Sequence, residues 1–265
     1  MTSSKRNQLN EWVGRPVPNS QAALRLFCFP YAGGSAQAYR AWPDKLMRRA
    51  SVEVCPINLP GRASRMKETP HTRLAPLVQA MAEGIRPFLD EKPFAFFGHS
   101  MGALTCFELA RELRRTNAPA PAHLFLSGCS AAQLVHFDRP TYDLPETEFI
   151  EELRRLSGTP PEVLEHPELL SLLIPLLRAD FAVCQTYEYA AGEPLDCHIT
   201  AFGGTQDDEV PLVRLEAWRE QTNANFKLHL LPGDHFFLHS AQSLLLDTLA
   251  QELPRPGDAT RRPGS

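Results

Sequence analysis

The chain has 265 residues, 43% of them hydrophobic and 22% charged, with a formal net charge of −4. That length suits one large α/β domain or two small ones, and the apolar share can build a sizeable core. The mild negative charge offers no basic field to nucleic acid or an anionic membrane, residues 1–10 hold no apolar leader, and no apolar run reaches the ~18–20 residues of a membrane-spanning helix.

Residues 1–22 are polar, and residues 254–265 are rich in Pro, Gly and Arg, so both ends are expected to be flexible tails. The run LRLFCFP at 24–30 predicts a first strand, and 36–49 a helix after it. A strand over 52–59, a helix over 73–89, a strand over 93–99, a helix over 101–116 and a strand over 123–129 follow. The rhythm then breaks. Helix-like pieces at 146–157, 161–166 and 168–189, the last interrupted by Pro175, make an insertion placed at 135–190. A strand at 197–203, a helix at 211–221, a strand at 226–231 and a helix at 238–252 complete the core, which spans 23–134 and 191–253.

The strand runs are continuously apolar rather than alternating, as in a sheet covered on both faces. Strand–helix alternation implies a mostly parallel sheet with right-handed crossovers and helices on both faces, an α/β fold. A helical insertion at the carboxyl edge of such a sheet is placed to act as a lid, although extra helices packing on the domain would read the same way. The six cysteines show no C-x-x-C spacing, and most lie in apolar runs. They are expected to be small buried hydrophobes in a reducing compartment, which makes the chain cytoplasmic, with no metal and no cofactor.

The segment FAFFGHSMGAL holds Gly98-His99-Ser100-Met101-Gly102, a G-x-S-x-G pattern. An apolar strand runs into it and a series of helix formers runs out, the setting of a nucleophile elbow. The glycines serve a turn too tight for side chains, the serine is expected in a strained conformation, and the helix N-terminus favours charge developing on an attacked carbonyl. Ser100 is the candidate nucleophile, and the N–H of Met101, the residue after it, is a candidate oxyanion donor.

A serine hydroxyl needs a base. Among nine histidines, His235 in HLLPGDHFFL lies just past the last strand, where the chain order nucleophile, acid, histidine puts the base. His99 neighbours Ser100 but should point elsewhere. His239 reads as a helix-face residue, since no H-E-x-x-H pattern or third ligand accompanies it. The acid is sought after the strand at 197–203, in AFGGTQDDEV, where Asp207 and Asp208 compete. Asp207 is favoured, with Val210 anchoring the turn and Asp208 solvated at the next helix, but periodicity leaves both open.

Five segments in order, Phe29-Pro30-Tyr31-Ala32-Gly33-Gly34-Ser35, Leu59-Pro60-Gly61-Arg62, Gly98 to Ala103, Phe202-Gly203-Gly204 with Asp207, and Gly233 to Leu238, give the chain a wider likeness. Across about residues 24–253 it resembles the type II thioesterases that accompany non-ribosomal peptide and polyketide synthases, and the related medium-chain fatty-acid synthase thioesterase. The resemblance implies an α/β-hydrolase fold and hydrolysis of stalled or aberrant acyl groups from the phosphopantetheine arm of acyl- or peptidyl-carrier proteins. Coenzyme A thioesters are a further substrate, and the chain is expected to be a monomer. It also implies that Ala32 supplies the second oxyanion N–H, that the insertion is a mobile lid, and that Tyr31 and Phe236 meet substrate. Tyr31 stands where many members carry histidine, and Asp234 where many carry glycine. Arg62, Arg65, Arg139 and Arg178 are candidates for a docking rim facing an acidic carrier, against a reading as solvated surface. The rivals are a carboxylesterase on the same fold and a silent protein that only binds acyl carriers.

Overall fold

Every apolar run read as a strand forms one: β1 (Leu24–Phe29), β2 (Val52–Pro56), β3 (Phe94–His99), β4 (His123–Ser127), β5 (His198–Gly204) and β6 (Phe226–Leu231). The computed structural model describes residues 11–14, 19, 22–137, 139–156, 158–159 and 161–253. The tail expected at 254–265 lies outside these residues, as does most of that expected at 1–22. The strands make one sheet in the order β2-β1-β3-β4-β5-β6, and every neighbouring pair is parallel. An isolated antiparallel bridge, Val13 with Ile57, adds to its outer edge.

The period-2 geometry of the strands explains why their runs are apolar throughout. On β1, Phe27 and Phe29 face the layer of α2 (Leu74–Ile85) and α3 (Met101–Arg115), joined there by Phe94, Phe96, Leu124 and Ile199. Leu26 and Cys28 face the opposite layer, with Phe97 and Val54 under Trp42 and Leu46 of α1 (Trp42–Met47) and Leu245, Leu246 and Leu249 of α9 (Gln242–Glu252). Each fully buried aromatic or aliphatic side chain contributes about 1.5–3 kcal/mol to this arrangement. β6, at the opposite edge from β2, remains half exposed, with Lys227 tied to Glu252 on α9 at 2.6 Å.

The helices depart from expectation where proline or a tight turn intervenes. The stretch read as one helix over 36–49 is a 3-10 turn at Ala36–Tyr39 followed by α1, because Pro43 is tolerated only in a helix's first turn. The stretch at 211–221 divides into α7 (Leu212–Glu216) and a 3-10 turn, and 238–252 divides at Ala241 into α8 (Phe237–Ser240) and α9. The insertion holds α4 (Glu146–Leu156), α5 (Pro161–Leu164) and α6 (Pro167–Gln185). Contrary to expectation, α6 runs through Pro175 unbroken. Pro175 sits on the exposed face, while Ile174, Leu176 and Leu177 beside it are buried, and that burial outweighs the lost hydrogen bond.

Phe149, Leu153, Leu170, Ile174 and Leu177 form an apolar cluster of the insertion, distinct from the two that flank the sheet. α6 reaches the sheet's carboxyl edge directly: a Cβ placed on Gly33, just past β1, would meet Leu177 Cδ2 at 2.6 Å. The loops after β1, β3, β5 and β6 therefore converge beneath the insertion.

Candidate active site

Ser100 occupies the turn between β3 and α3 with φ 52° and ψ −119°, a region that side-chain-bearing residues rarely enter. Its neighbours explain how the strain is held. A Cβ on Gly98 would lie 2.1 Å from the Gly102 carbonyl oxygen, and a Cβ on Gly102 would lie 2.2 Å from that of Phe29. The chain reverses so tightly that only hydrogen fits at both places. The Ser100 N–H donates to the Ser127 carbonyl at 2.8 Å, which anchors the turn to β4. The Ser100 hydroxyl makes no hydrogen bond among the described residues, and the N–H of Met101, opening α3, is likewise unpaired there.

His235 follows β6, with its Nδ1 2.9 Å from Asp207 Oδ2. A carboxylate only accepts, so Nδ1 carries the proton and Nε2 is left as the acceptor. The Asp207 side chain is fully buried, and its Oδ1 accepts from the N–H groups of Glu209 (2.9 Å) and Val210 (3.2 Å). That turn chemistry aims the other oxygen at His235. Asp208 is exposed and has no bond to the ring. Burial works to lower the His235 pKa, but the Asp207 hydrogen bond and charge, helped by Glu209 and Asp234, outweigh it and raise the pKa above its ordinary value.

Ser100, His235, Ala32, Tyr31 and Phe236 line one cavity of about 140 Å³. Its apolar wall comes from the insertion: Leu153 and Leu156 of α4 and Leu173, Leu176, Leu177 and Phe181 of α6. Ala32 lies in a turn closed by the Gly34 N–H donating to the Tyr31 carbonyl at 2.9 Å, with Gly33 at φ 74°. Ala32 itself is not at positive φ, so this is a type II turn, and its N–H has no partner among the described residues.

His99 points inward, with Nδ1 2.9 Å from Ser127 Oγ, yet its ring also backs onto His235 at a centroid distance of 5.0 Å. Complete burial, with the charges of His235 and His239 adding to it, drives its pKa well below the ordinary histidine value and keeps it neutral. Tyr31 and His239 hydrogen-bond through OH and Nε2 at 3.0 Å, and Phe236 stacks on His239. Among the described residues no group of His, Cys, Asp and Glu is arranged to hold a metal ion, no helix is long and apolar enough to cross a membrane, and all six cysteines are free.

The family described as thioesterase domain matches residues 24–253. The chain belongs to that family. It is 47% identical over 247 residues to the gramicidin S biosynthesis protein GrsT of Aneurinibacillus migulanus, covering 93% of this chain and 95% of that protein. Among solved structures, the RedJ thioesterase from the prodiginine pathway of Streptomyces coelicolor is similar at 39% identity and a TM-score of 0.81, covering 90% of this chain and 97% of RedJ. YbtT, a type II thioesterase of the yersiniabactin non-ribosomal peptide and polyketide pathway, is 30% identical with a TM-score of 0.79, covering 91% and 96%. The chain is thus a thioesterase, a hydrolase acting on thioesters, with the α/β-hydrolase fold of these relatives.

Two features of this thioesterase went unread in the sequence. Glu209 lines the cavity beside His235. Desolvation where its carboxyl borders the cavity holds it above the usual range, although the residue as a whole is exposed; His235 and Arg155 draw it back and Asp207 adds to the rise. Asp180, on the buried face of α6, grips Arg62 through two contacts, Nη2–Oδ1 at 2.6 Å and Nη1–Oδ2 at 2.8 Å. A carboxylate at helical spacing from Leu176, Leu177 and Val183 was the available signal, since such a charge needs a buried partner. The pair also corrects the docking rim. Arg62 is only 6% exposed, and Arg65 is 7% exposed, bound to Glu68 and lying 4.1 Å over the Trp12 ring. Arg178 is spent on the Tyr142 carbonyl and the Phe149 ring, and of the four only Arg139 is well exposed.

Proposed function

We propose that this thioesterase uses Ser100, His235 and Asp207 to hydrolyse acyl groups from the phosphopantetheine arm of carrier proteins, clearing stalled or aberrant acyl groups in non-ribosomal peptide or polyketide assembly. The observation that carries the reading is the convergence of a strained serine, a carboxylate-bound histidine and the residue Ala32, whose N–H has no partner among the described residues, on one cavity walled by the insertion, with the unpaired N–H of Met101 next in the chain to that serine. The GrsT, RedJ and YbtT relationships support the pathway class.

The chemistry runs in two halves. Ser100 Oγ attacks the thioester carbonyl carbon while His235 Nε2 takes the hydroxyl proton, and the N–H groups of Met101 and Ala32 hold the oxyanion. Collapse breaks the carbon–sulfur bond, His235 returns the proton to the departing thiolate, and an ester to Ser100 remains. Water then attacks that ester with His235 as base; the carboxylic acid leaves and Ser100 is restored. Asp207 keeps Nδ1 protonated throughout and stabilises the imidazolium without taking its proton. The acyl chain lies among Leu153, Leu156, Leu173, Leu176 and Phe181, so α4 and α6 act as a lid. The cavity is smaller than the roughly 300–1,000 Å³ usual for ligand sites, which favours a short acyl group unless the lid moves. Tyr31 and Phe236 border the acyl path, and the cytosol is the compartment where carrier substrates are met.

The test is to incubate acyl-loaded carrier protein with enzyme and follow the free phosphopantetheine thiol, beside a p-nitrophenyl ester of the same acyl group and the acyl-coenzyme A. Thiol release that requires Ser100 and exceeds ester turnover is expected. Ester turnover without carrier activity would leave a carboxylesterase.

A further inference from the structure

The turn that presents the Ala32 N–H is not held by its own loop alone. Its central peptide faces α6: the Gly33 N–H donates to Asp180 Oδ2 at 2.7 Å, and Arg62 Nη1, bonded to that same oxygen at 2.8 Å, also donates to the Gly34 carbonyl at 2.9 Å. Arg62 Nη2 takes the second carboxylate oxygen at 2.6 Å. The ion pair is almost wholly withdrawn from water, with side chains 6% and 3% exposed. Leu177, one helical turn before Asp180, seats on Gly33 and lines the cavity. One helix therefore walls the acyl site and grips the loop beside Ser100.

A buried ion pair is a poor means of stabilisation, because desolvating both charges consumes most of the attraction, and apolar replacements of similar volume are often neutral or better. What a carboxylate supplies here, and an apolar side chain cannot, is an acceptor for the Gly33 N–H. That hydrogen bond selects one orientation of the Ala32–Gly33 peptide. A type II turn whose central peptide flips becomes type I, and the φ and ψ angles on either side readjust.

We infer that Asp180 is a positioning residue: from the insertion, neutralised by Arg62, it fixes the oxyanion turn so that the Ala32 N–H meets the reacting carbonyl only while α6 is seated. This rests on the proposed Ser100 mechanism with Ala32 as donor. Docking of α6 and competence of the oxyanion site then form one event, and an unseated lid leaves the serine without its second donor.

The experiment compares wild type, Asp180→Asn, Asp180→Leu and the double variant Arg62→Met/Asp180→Leu in thermal melts, in kcat and KM for an acyl thioester, and in affinity for a boronic acid that forms an oxyanion on serine. Asp180→Leu alone strands Arg62 and is expected to fold poorly. The double variant removes both charges, so it should melt near wild type, yet its kcat should fall about 10²–10³-fold, the range for loss of one oxyanion donor. Its KM should stay within threefold, and boronate affinity should fall in step with kcat. A folded double variant with wild-type kcat, or one altered only in KM, would overturn the inference and leave the pair a structural staple. If the double variant fails to fold, Asp180→Asn decides. Its amide oxygen still serves Gly33, so kcat and boronate affinity should stay within threefold of wild type while its NH2, opposing Arg62, lowers the melting temperature; a kcat loss of tenfold or more with KM held, despite the retained acceptor, overturns the proposal. Failure of the underlying mechanism has a different signature: full wild-type activity in Ser100→Ala.

Discussion

Replacing Asp207 by asparagine should cost about 10⁴-fold in kcat while leaving the fold nearly intact. The geometry sets both halves of that expectation. Oδ1 accepts two backbone N–H groups, from Glu209 and Val210, so the asparagine oxygen is held at that position. The NH2 group must then face His235 Nδ1, where a carboxylate oxygen now lies at 2.9 Å. A donor there forces the ring proton onto Nε2, which turns a hydrogen, instead of a lone pair, toward Ser100. Such a tautomer error is worth about 10⁴ in rate, or roughly 5.5 kcal/mol of barrier. Asp207→Ala should lose activity too, but it also takes the acceptor from the exposed N–H of Glu209 and the part-buried N–H of Val210, the latter at up to about 1–3 kcal/mol, so its melting temperature should fall further than that of Asp207→Asn. Stability carries a pH signature. The folded pKa of His235 is raised, so the charged pair stabilises the fold fully below the unfolded value of about 6.5 and ceases to do so as pH rises through the folded value. The melting-temperature gap between wild type and Asp207→Asn should accordingly be wider at pH 5.5 than at pH 9. The assay is steady-state thioester hydrolysis by thiol release, with Asp208→Asn as control. Asp207→Asn within tenfold of wild type, or an equal loss in Asp208→Asn, would refute the reasoning.

Ser100→Gly should be inactive yet more stable by about 1 kcal/mol, since relief of a backbone strain of about 1–3 kcal/mol exceeds the extra chain entropy of glycine; denaturant melts check it, and a less stable variant would remove the strain argument. The acid limb of kcat/KM should lie above the ordinary histidine value of about 6.5, because His235 must be neutral to act, and Glu209→Gln should move it down in a pH–rate profile. Phe149→Ala should cost the insertion about 3–5 kcal/mol. The ring is fully buried and meets Phe181 edge-on at 5.4 Å, so hydrogen exchange should speed up in α4 and α6 while the sheet stays protected. Gly98→Ala should fail to assemble the elbow and lose both stability and activity, because the clash is with backbone.

The six strands were legible because buried parallel strands are apolar on both faces, and β1 shows this in Phe27 and Phe29 against Leu26 and Cys28. The elbow was legible because its two glycines answer a steric demand that no other residue meets. Helix boundaries were less so: Pro43 and Pro175 carry the same local signal, yet one marks a helix start and the other sits inside α6, where tertiary burial decides. Which of Asp207 and Asp208 meets the His235 ring depends on the hydrogen bonds of the turn, which the two adjacent letters do not encode. Arg62 and Arg65 misled for a related reason. An arginine's letter does not say whether its partner lies in water or, like Asp180, on a helix more than a hundred residues away in sequence.

The central claim is that acyl groups pass through Ser100. The direct measurement is rapid quenching of the enzyme with carrier protein bearing a labelled acyl group, followed by peptide mapping by mass spectrometry. The account predicts the acyl mass on the peptide containing Ser100, formed as fast as carrier thiol appears and absent from Ser100→Ala, which releases almost no thiol. Label on another residue, or thiol release by Ser100→Ala at the wild-type rate, would contradict it.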